Sequence, residues 1–244
     1  MSLTKNVLVT GGSRGIGAAI SKRLGEEGYF VFVNYNNNKE KADAVVDEIV
    51  KNGGKAISIQ GNISNLKDCE NMIQNLKSNF GGVQILINNA GITRDKSFKK
   101  MSADEWREVI DTNLSSAYNL SSLLIDSMIE NNFGRIINIS SVIGQTGGFG
   151  QTNYAAAKAG LIGFSKSLAL ETAKYGITVN NICPGFIGTE MVSAMPENVL
   201  NNIMEKIPMK TLGSPEDIAN GVLFLIENKY ITGQCLNING GLYM

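Results

Sequence analysis

No histidine occurs anywhere in this chain of 244 residues. That absence removes Ser-His-Asp triads, Cys-His dyads, HExxH zinc sites and histidine general bases together. Acid–base chemistry near neutral pH must therefore fall to another side chain with a displaced pKa. Cysteine is scarce too: Cys69, Cys183 and Cys235 are odd in number, widely spaced and form no CxxC pair. They suggest neither a disulfide framework nor a zinc cluster, and read as buried or incidental thiols with no metal site. Neither charge sign is in excess, with Lys plus Arg and Asp plus Glu at 22 each. No overall field draws such a protein to nucleic acid or an anionic membrane, and a small, weakly charged substrate fits better. No apolar run approaches the ~20 residues of a membrane span. The N-terminus runs into a glycine loop without a signal-peptide apolar region, so a reducing cytoplasm is the expected location.

What the chain does have is a recurring pair of patterns. Short runs rich in Val, Ile and Leu lie at 6–10, 29–34, 55–60, 83–88, 134–140, 177–183 and 234–238. They are near-continuous rather than alternating, as strands buried on both faces should be. Helical stripes lie between them, such as Ile16, Ile20 and Leu24, or Leu161, Phe164 and Leu168. This alternation predicts an α/β fold: a Rossmann-type, doubly wound parallel sheet of about seven strands in a three-layer α/β/α sandwich. The length allows one large domain, 1–244, and no linker or internal repeat divides it. The segment 188–210 is helical in pattern, rich in methionine, and placed between the sixth strand and the last helix. It reads as a flap over a substrate pocket, or as an ordinary helical connection.

Thr10-Gly11-Gly12-Ser13-Arg14-Gly15-Ile16-Gly17 follows the first strand and opens the first helix. Strand, glycines and helix in that order make a pyrophosphate site, because glycines allow a tight turn and the helix N-terminus offers free N–H groups and partial positive charge. Gly11, Ser13, Arg14, Gly15, Ile16 and Gly17 are therefore expected to bind a dinucleotide. An acidic residue ending the second strand would take the ribose hydroxyls of NAD. Here that stretch is Val33-Asn34-Tyr35-Asn36-Asn37, and the first acid, Glu40, already lies in a helical pattern. Arg14 and the amide of Asn36 would meet a 2′-phosphate without repulsion, so NADP(H) is the expected cofactor.

Asn88-Asn89-Ala90-Gly91 follows the fourth strand, and Tyr154-Ala155-Ala156-Ala157-Lys158 comes thirteen residues after Ser141. With TGGSRGIG, Asn113 in DTNL, Pro184-Gly185 and Asn239-Gly240-Gly241, these motifs span the chain, which resembles the short-chain dehydrogenase/reductases. The residues carry the chemistry independently. A phenol of reference pKa ~10 is a poor acid–base group at neutral pH. Lys158 shares a helical face with Tyr154 and should pull its pKa down. Ser141 should hydrogen-bond the substrate carbonyl oxygen. The resemblance implies that Asn113, an unfavourable residue for a helix interior, helps hold a proton-relay water near the lysine. It also implies cofactor contacts by Asn62, Ile63, Asn89, Ala90, Gly91, Tyr154, Lys158, Pro184, Gly185, Ile187 and Thr189, and a homotetramer built through the helices 102–130 and 152–175 and the last strand.

Within that family the likeness is to reductases of 3-oxoacyl thioesters, first those acting on acetoacetyl-CoA and second those acting on 3-oxoacyl-(acyl carrier protein). Phe149, Gln151 and Phe186 are the implied substrate-pocket residues. Asn132 and Tyr175 stand where carrier-protein enzymes often place basic residues, while Gly148 and Phe186 depart from the coenzyme A pattern. The loop holding Arg94, Lys96, Lys99 and Lys100 reads as solvated, or as a contact for coenzyme A phosphates; Trp106 reads as core or subunit interface. A rival of another class is a non-catalytic NADP(H)-binding regulator, which would have an eroded active site.

Overall fold

The seven apolar runs all become strands, their ends within two residues of the predicted ones. The computed structural model describes residues 5–193 and 197–244. β1 (Asn6–Val9), β2 (Phe30–Tyr35), β3 (Lys55–Gln60), β4 (Ile85–Asn88), β5 (Gly134–Ile139), β6 (Ile177–Pro184) and β7 (Cys235–Ile238) form one sheet in the order β3-β2-β1-β4-β5-β6-β7. Every pairing is parallel. The strand order reverses direction between β1 and β4, and crevices that take ligands open at such a switch point, beyond the carboxyl ends of the strands.

Helices cover both faces. On one lie α1 (Gly15–Glu26), α2 (Lys39–Lys51) and α10 (Pro215–Glu227), packed on Val7, Val9, Val31, Val33, Ile85 and Ile87. On the other lie α3 (Leu66–Phe80), α5 (Ser116–Glu130) and α7 (Thr152–Thr172), packed on Leu8, Phe32, Leu86, Ile136 and Val179. Successive strand residues alternate between these two apolar layers, which is why the strands read as continuous apolar runs.

The helix expected over 102–130 is interrupted. α4 (Ala103–Ile110), opened by a Ser102–Glu105 capping box, passes into a π-helical turn at Asp111–Ser115 before α5 begins. Such turns insert a residue into the helical register and cluster at functional sites; Asn113 sits in this one. Short helices α6 (Ile143–Thr146), α8 (Glu190–Ser193) and α9 (Glu197–Lys206) complete the chain. The segment 188–210 contains α8 and α9, and its residues 194–196 lie outside the described residues. α9 has no fully buried residue. Among the described residues no helix is long and apolar enough to cross a membrane.

Candidate active site

The glycine loop is shaped by contacts that exclude side chains. Gly11 and Gly15 have φ of 60° and 51°, the left-handed region that glycine enters freely. A Cβ on Gly17 would fall on the Gly11 carbonyl oxygen and 2.5 Å from Asn89 Nδ2. Arg14 is the N-cap of α1, exposed, with no side-chain cap hydrogen bond and no acid in the helix's first turn. The α1 N-terminus therefore keeps its N–H groups and partial positive charge for an anion. Ser13 is half-buried beside it, and Ile16 packs against the core under the loop.

Neighbouring strand ends fix the loop. Thr10 Oγ1 accepts from the Asn89 and Ala90 N–H groups at 2.9 and 3.0 Å, and Asn89 Nδ2 donates to the Thr10 and Gly11 carbonyls at 2.9 and 3.2 Å. The Asn89 amide nitrogen is thus committed to the loop, leaving Ala90 and Gly91 to border the crevice. From β2, buried Asn34 accepts from Gly12 N–H through its carbonyl (2.9 Å) and from Gly11 N–H through Oδ1 (3.3 Å). Asn36 stands exposed just past β2, with no carboxylate before it on that strand. Asn36 and Asn62 line one cavity of about 460 Å³ beyond β3. Asn62 Oδ1 is already occupied by the Ser64 N–H and hydroxyl at 3.2 and 2.8 Å. The Ile63 side chain belongs to the core. Both positions make the turn after β3 rigid, and their side chains are less available to a ligand than the sequence suggests. Opposite the glycine loop, Pro184 ends β6, Gly185 packs on Asn239, Ile187 is buried, and Thr189 comes within 3.4 Å of where a Gly15 Cβ would stand. Just beyond, Glu190 pairs with Lys41 of α2 at 3.3 Å.

Ser141, Tyr154, Lys158 and Asn113 converge at the same end of the sheet. Ser141 follows β5, is buried, and accepts the Ile143 N–H at 3.1 Å. Tyr154 and Lys158 lie on one face of α7, with Nζ 5.6 Å from the phenol ring centre. Lys158 is buried without a carboxylate, and Nζ donates to the Ile139 carbonyl at 2.7 Å. Burial lowers its pKa to about 8. For Tyr154 the sequence-based expectation is corrected: burial pushes the phenol up, Asp95 adds to that, and only hydrogen bonding with Ser141 opposes it. Burial of the phenol outweighs any pull from the neighbouring ammonium. Asn113 holds both backbone groups of Ile92, its Oδ1 accepting at 2.8 Å and its Nδ2 donating at 2.9 Å. Its side chain thereby pins the loop after β4, and a Cβ on Gly91 would stand between Asn113 Oδ1 and Lys158 Nζ, 3.4 and 3.5 Å away.

Of the three substrate-pocket residues, only Phe186 lines the cavity beside Ile187. Phe149 is 98% exposed, Gln151 Nε2 donates to Asp95 at 2.9 Å, and Phe186 lines a cavity of about 320 Å³ with Ile187, Ile207 and Met209. In the basic loop, Arg94 grips Glu108 with two bonds of 2.8 and 2.6 Å, and Lys96 pairs with Glu105 at 2.6 Å. These two cations brace the loop against α4. Trp106 is 37% exposed, so it is not core. Two contributors escaped the sequence reading. Ser140 Oγ donates to the Lys158 carbonyl at 2.8 Å, fixing α7 on β5, and Thr10 holds the NNAG turn. A hydroxyl directly after a strand was the available signal in each case. Cys183 and Cys235, distant in sequence, meet across β6 and β7. Among the described residues no group of His, Cys, Asp and Glu could hold a metal.

Comparison with known proteins agrees with this geometry. Residues 5–199 match the family model described as short chain dehydrogenase. The chain is 47% identical, over the full length of both, to a Staphylococcus aureus protein named 3-oxoacyl-[acyl-carrier-protein] reductase FabG. It is 48% identical, over 99% of both chains, to a Rhizobium meliloti acetoacetyl-CoA reductase. To a Haemophilus influenzae protein that also bears the carrier-protein name it is 45% identical over 98% of both.

Proposed function

We propose, from the premise that this chain belongs to the short chain dehydrogenase family, that it reduces a 3-oxoacyl thioester to the (3R)-3-hydroxyacyl thioester with NADPH, acetoacetyl-CoA being the substrate. The observation that carries the reading is the convergence of buried Ser141 and Lys158 with half-buried Tyr154 in a chain without histidine. An oxidoreductase of this family uses a nicotinamide cofactor, and the residues fit one. The glycine cradle that a Cβ at Gly17 would fill and the uncapped α1 N-terminus suit a pyrophosphate. Arg14 and Asn36, with no acid on the end of β2, favour the 2′-phosphate of NADP(H). Gly11, Ser13, Gly15, Ile16 and Gly17 would hold the pyrophosphate side, Asn62, Ile63, Asn89, Ala90 and Gly91 the adenosine and ribose side, and Pro184, Gly185, Ile187 and Thr189 the nicotinamide.

When bound, the cofactor supplies a hydride for the carbonyl carbon. The protein's part is to hold and protonate the oxygen. Ser141 donates a hydrogen bond to it, and Tyr154, kept in its phenol form by burial, releases its proton as negative charge develops. The O–H bond of the phenol breaks and that of the product alcohol forms. The phenolate left behind stands beside the Lys158 ammonium, which is stabilising only once that charge exists. With a pKa brought down to about 8, Lys158 can also pass a proton on to the tyrosine. Asn113 keeps Ile92 and the lysine chamber in place. The segment 188–210, carrying the unburied α9, acts as the flap that excludes water.

Neutral Asn132 and Tyr175 favour coenzyme A as the carrier. The carrier-protein thioester is the second reading, supported by Lys174, whose ammonium lies 4.9 Å from the Tyr175 ring centre. Relatives of near-equal identity bear each name. NADPH consumption measured side by side with acetoacetyl-CoA, an acetoacetyl carrier protein and simple ketones separates them. A kcat/KM higher for the carrier protein than for acetoacetyl-CoA reverses the order. Exposed Tyr118 on α5 and Leu170 on α7 support a homotetramer built through those helices and β7 in the cytoplasm; a monomer in size-exclusion chromatography would contradict that assembly.

A further inference from the structure

Reduction needs Ser141 and Tyr154 to reach the same carbonyl oxygen, yet the two come from different elements. Ser141 stands just past β5, whereas Tyr154 lies on α7, one turn before Lys158. The distance at which α7 stands from β5 therefore matters, because a misplacement of about 1 Å can cost about a hundredfold in rate. At the level of the site, the segment carrying Ser141 holds Lys158 in three places. Lys158 Nζ donates to the Ile139 carbonyl at 2.7 Å, and the Lys158 carbonyl accepts from the Ser140 hydroxyl at 2.8 Å. A helical carbonyl has a second lone pair for such a bond beside the one spent within the helix. Gly144 makes the third contact. A Cβ there would stand 2.8 Å from the Lys158 carbonyl carbon, 2.9 Å from its Cβ and 3.0 Å from the Ala159 nitrogen.

Gly144 sits in α6 with φ outside the left-handed region, so the close approach of two backbones, not its conformation, is what excludes a side chain. Both residues are tied back to Ser141. The Gly144 N–H donates to the Ser141 carbonyl at 3.0 Å. Ser140 is the chain neighbour of Ser141, buried, with its N–H on the Ile182 carbonyl of β6 at 2.8 Å. A second buried hydroxyl joins α7 to the sheet: Ser165 Oγ accepts from Asn138 Nδ2 of β5 at 2.7 Å and donates to Asn181 Oδ1 of β6 at 2.9 Å. Ser165 lies two helical turns past Lys158, about 10 Å along α7, and its bonds anchor the helix away from the reacting groups.

We propose that Ser140 and Gly144 are positioning residues for the reduction: they set the height of α7 on β5, and with it the separation of Ser141 from Tyr154, without touching substrate or cofactor. Both roles rest on the catalytic assignments proposed above. Ser140 draws the helix in through a hydrogen bond, and Gly144 lets it come that close. Tyr154 and Lys158 share α7 and move together, so a change at either residue alters their distance from Ser141 and not from each other.

The test compares Gly144→Ala, Ser140→Ala, Ser140→Thr and Ser165→Ala in the full-length protein by kcat, KM, calorimetric NADPH affinity, Tm and crystal structure. In Gly144→Ala the contact must lengthen from 2.8 Å to the ~3.5 Å of an ordinary carbon pair, so α7 and the Ser141 segment should part by about 0.7 Å beside Lys158. Its kcat should fall by about a hundredfold and that of Ser140→Ala by about tenfold, with KM and NADPH affinity held within about threefold. Ser140→Ala adds no atom and carries the test if Gly144→Ala does not fold. Ser140→Thr keeps the hydroxyl and should regain most of the lost kcat. Ser165→Ala leaves two buried amides short of a partner, so it should lower Tm at least as far as Ser140→Ala does while keeping kcat within about twofold. Wild-type kcat in Ser140→Ala or Gly144→Ala, or an equal kcat loss in Ser165→Ala, overturns the positioning role and leaves packing alone. The crystal structures read the helix without turnover: an unmoved α7 and Ser141 segment in Gly144→Ala overturns the proposal, whereas a shifted helix in a protein idle toward every 3-oxoacyl thioester faults the proposed reaction instead.

Discussion

Replacing Gly17 with alanine tests whether the glycine loop is held as described. The added carbon would meet the Gly11 carbonyl oxygen and stand 2.5 Å from Asn89 Nδ2, so the loop must open by most of an ångström. That opening stretches the bonds from Asn89 Nδ2 to the Thr10 and Gly11 carbonyls, 2.9 and 3.2 Å long. Two neutral hydrogen bonds contribute about 1 kcal/mol each, and overpacking costs typically ~1–3 kcal/mol. About 3 kcal/mol of stability should go, a fall in Tm of roughly 10 °C for a chain of this length. The α1 N-terminus moves with the loop, so NADPH affinity should fall by about thirtyfold or more, equivalent to about 2 kcal/mol. Calorimetric titration with NADPH and thermal unfolding with and without it read both effects. Gly53→Ala is the control: Gly53 also has a left-handed backbone (φ 85°) but open space around it. It should cost about 1 kcal/mol and leave NADPH binding unchanged. Near-native NADPH affinity in Gly17→Ala would refute the assignment of this loop to the pyrophosphate.

Tyr154→Phe removes the proton donor and little else, so kcat should drop by about 10²–10⁴ while the calorimetric NADPH affinity stays within twofold; surviving turnover would sink the mechanism. Arg14→Glu places a carboxylate where the 2′-phosphate is expected, so the ratio of NADPH to NADH affinity should fall by about tenfold or more; an unchanged ratio rejects the NADP(H) assignment. Burial lowers Lys158 from 10.5 to about 8, so its ammonium predominates at pH 7 and is lost as the pH rises through about 8, while Tyr154, pushed above its ordinary value, stays protonated there. kcat/KM for reduction should therefore be level below pH 8 and decline above it, and Lys158→Arg should move the decline to higher pH; a wild-type decline already complete by about pH 6 contradicts this assignment. The same lowered pKa means that between about pH 8 and 10.5 the unfolded chain binds this proton and the folded chain does not, so this group's contribution to stability rises with pH across that window.

Much of this arrangement was legible in the sequence because it is local. Apolar runs bounded by turns fixed the strands, and the alternation with amphipathic stretches fixed the parallel order. What escaped depends on neighbours that the sequence does not place. The π-helical turn at Asp111–Ser115 contains neither Gly nor Pro, so DTNLS continues a helical pattern without warning. Asn138 is a single polar residue inside an apolar run, while Asn88 and Asn181 each belong to an Asn-Asn pair, and only strand register reveals that the three form a row. The sequence interval of Lys158 from Tyr154 puts the two on one helical face, but says nothing of the burial that lowers one pKa and raises the other. Phe149 and Phe186 were grouped by resemblance, yet Phe149 is exposed and is not among the residues that line the cavity beside Phe186.

The most direct test of the central claim follows NADPH absorbance with acetoacetyl-CoA as the only acceptor and resolves the stereochemistry of the product. The proposed function predicts one 3-hydroxybutyryl-CoA formed per NADPH oxidised, of the (3R) configuration that the family resemblance implies. NADPH left unconsumed with every 3-oxoacyl thioester offered, or a (3S) product, would contradict it.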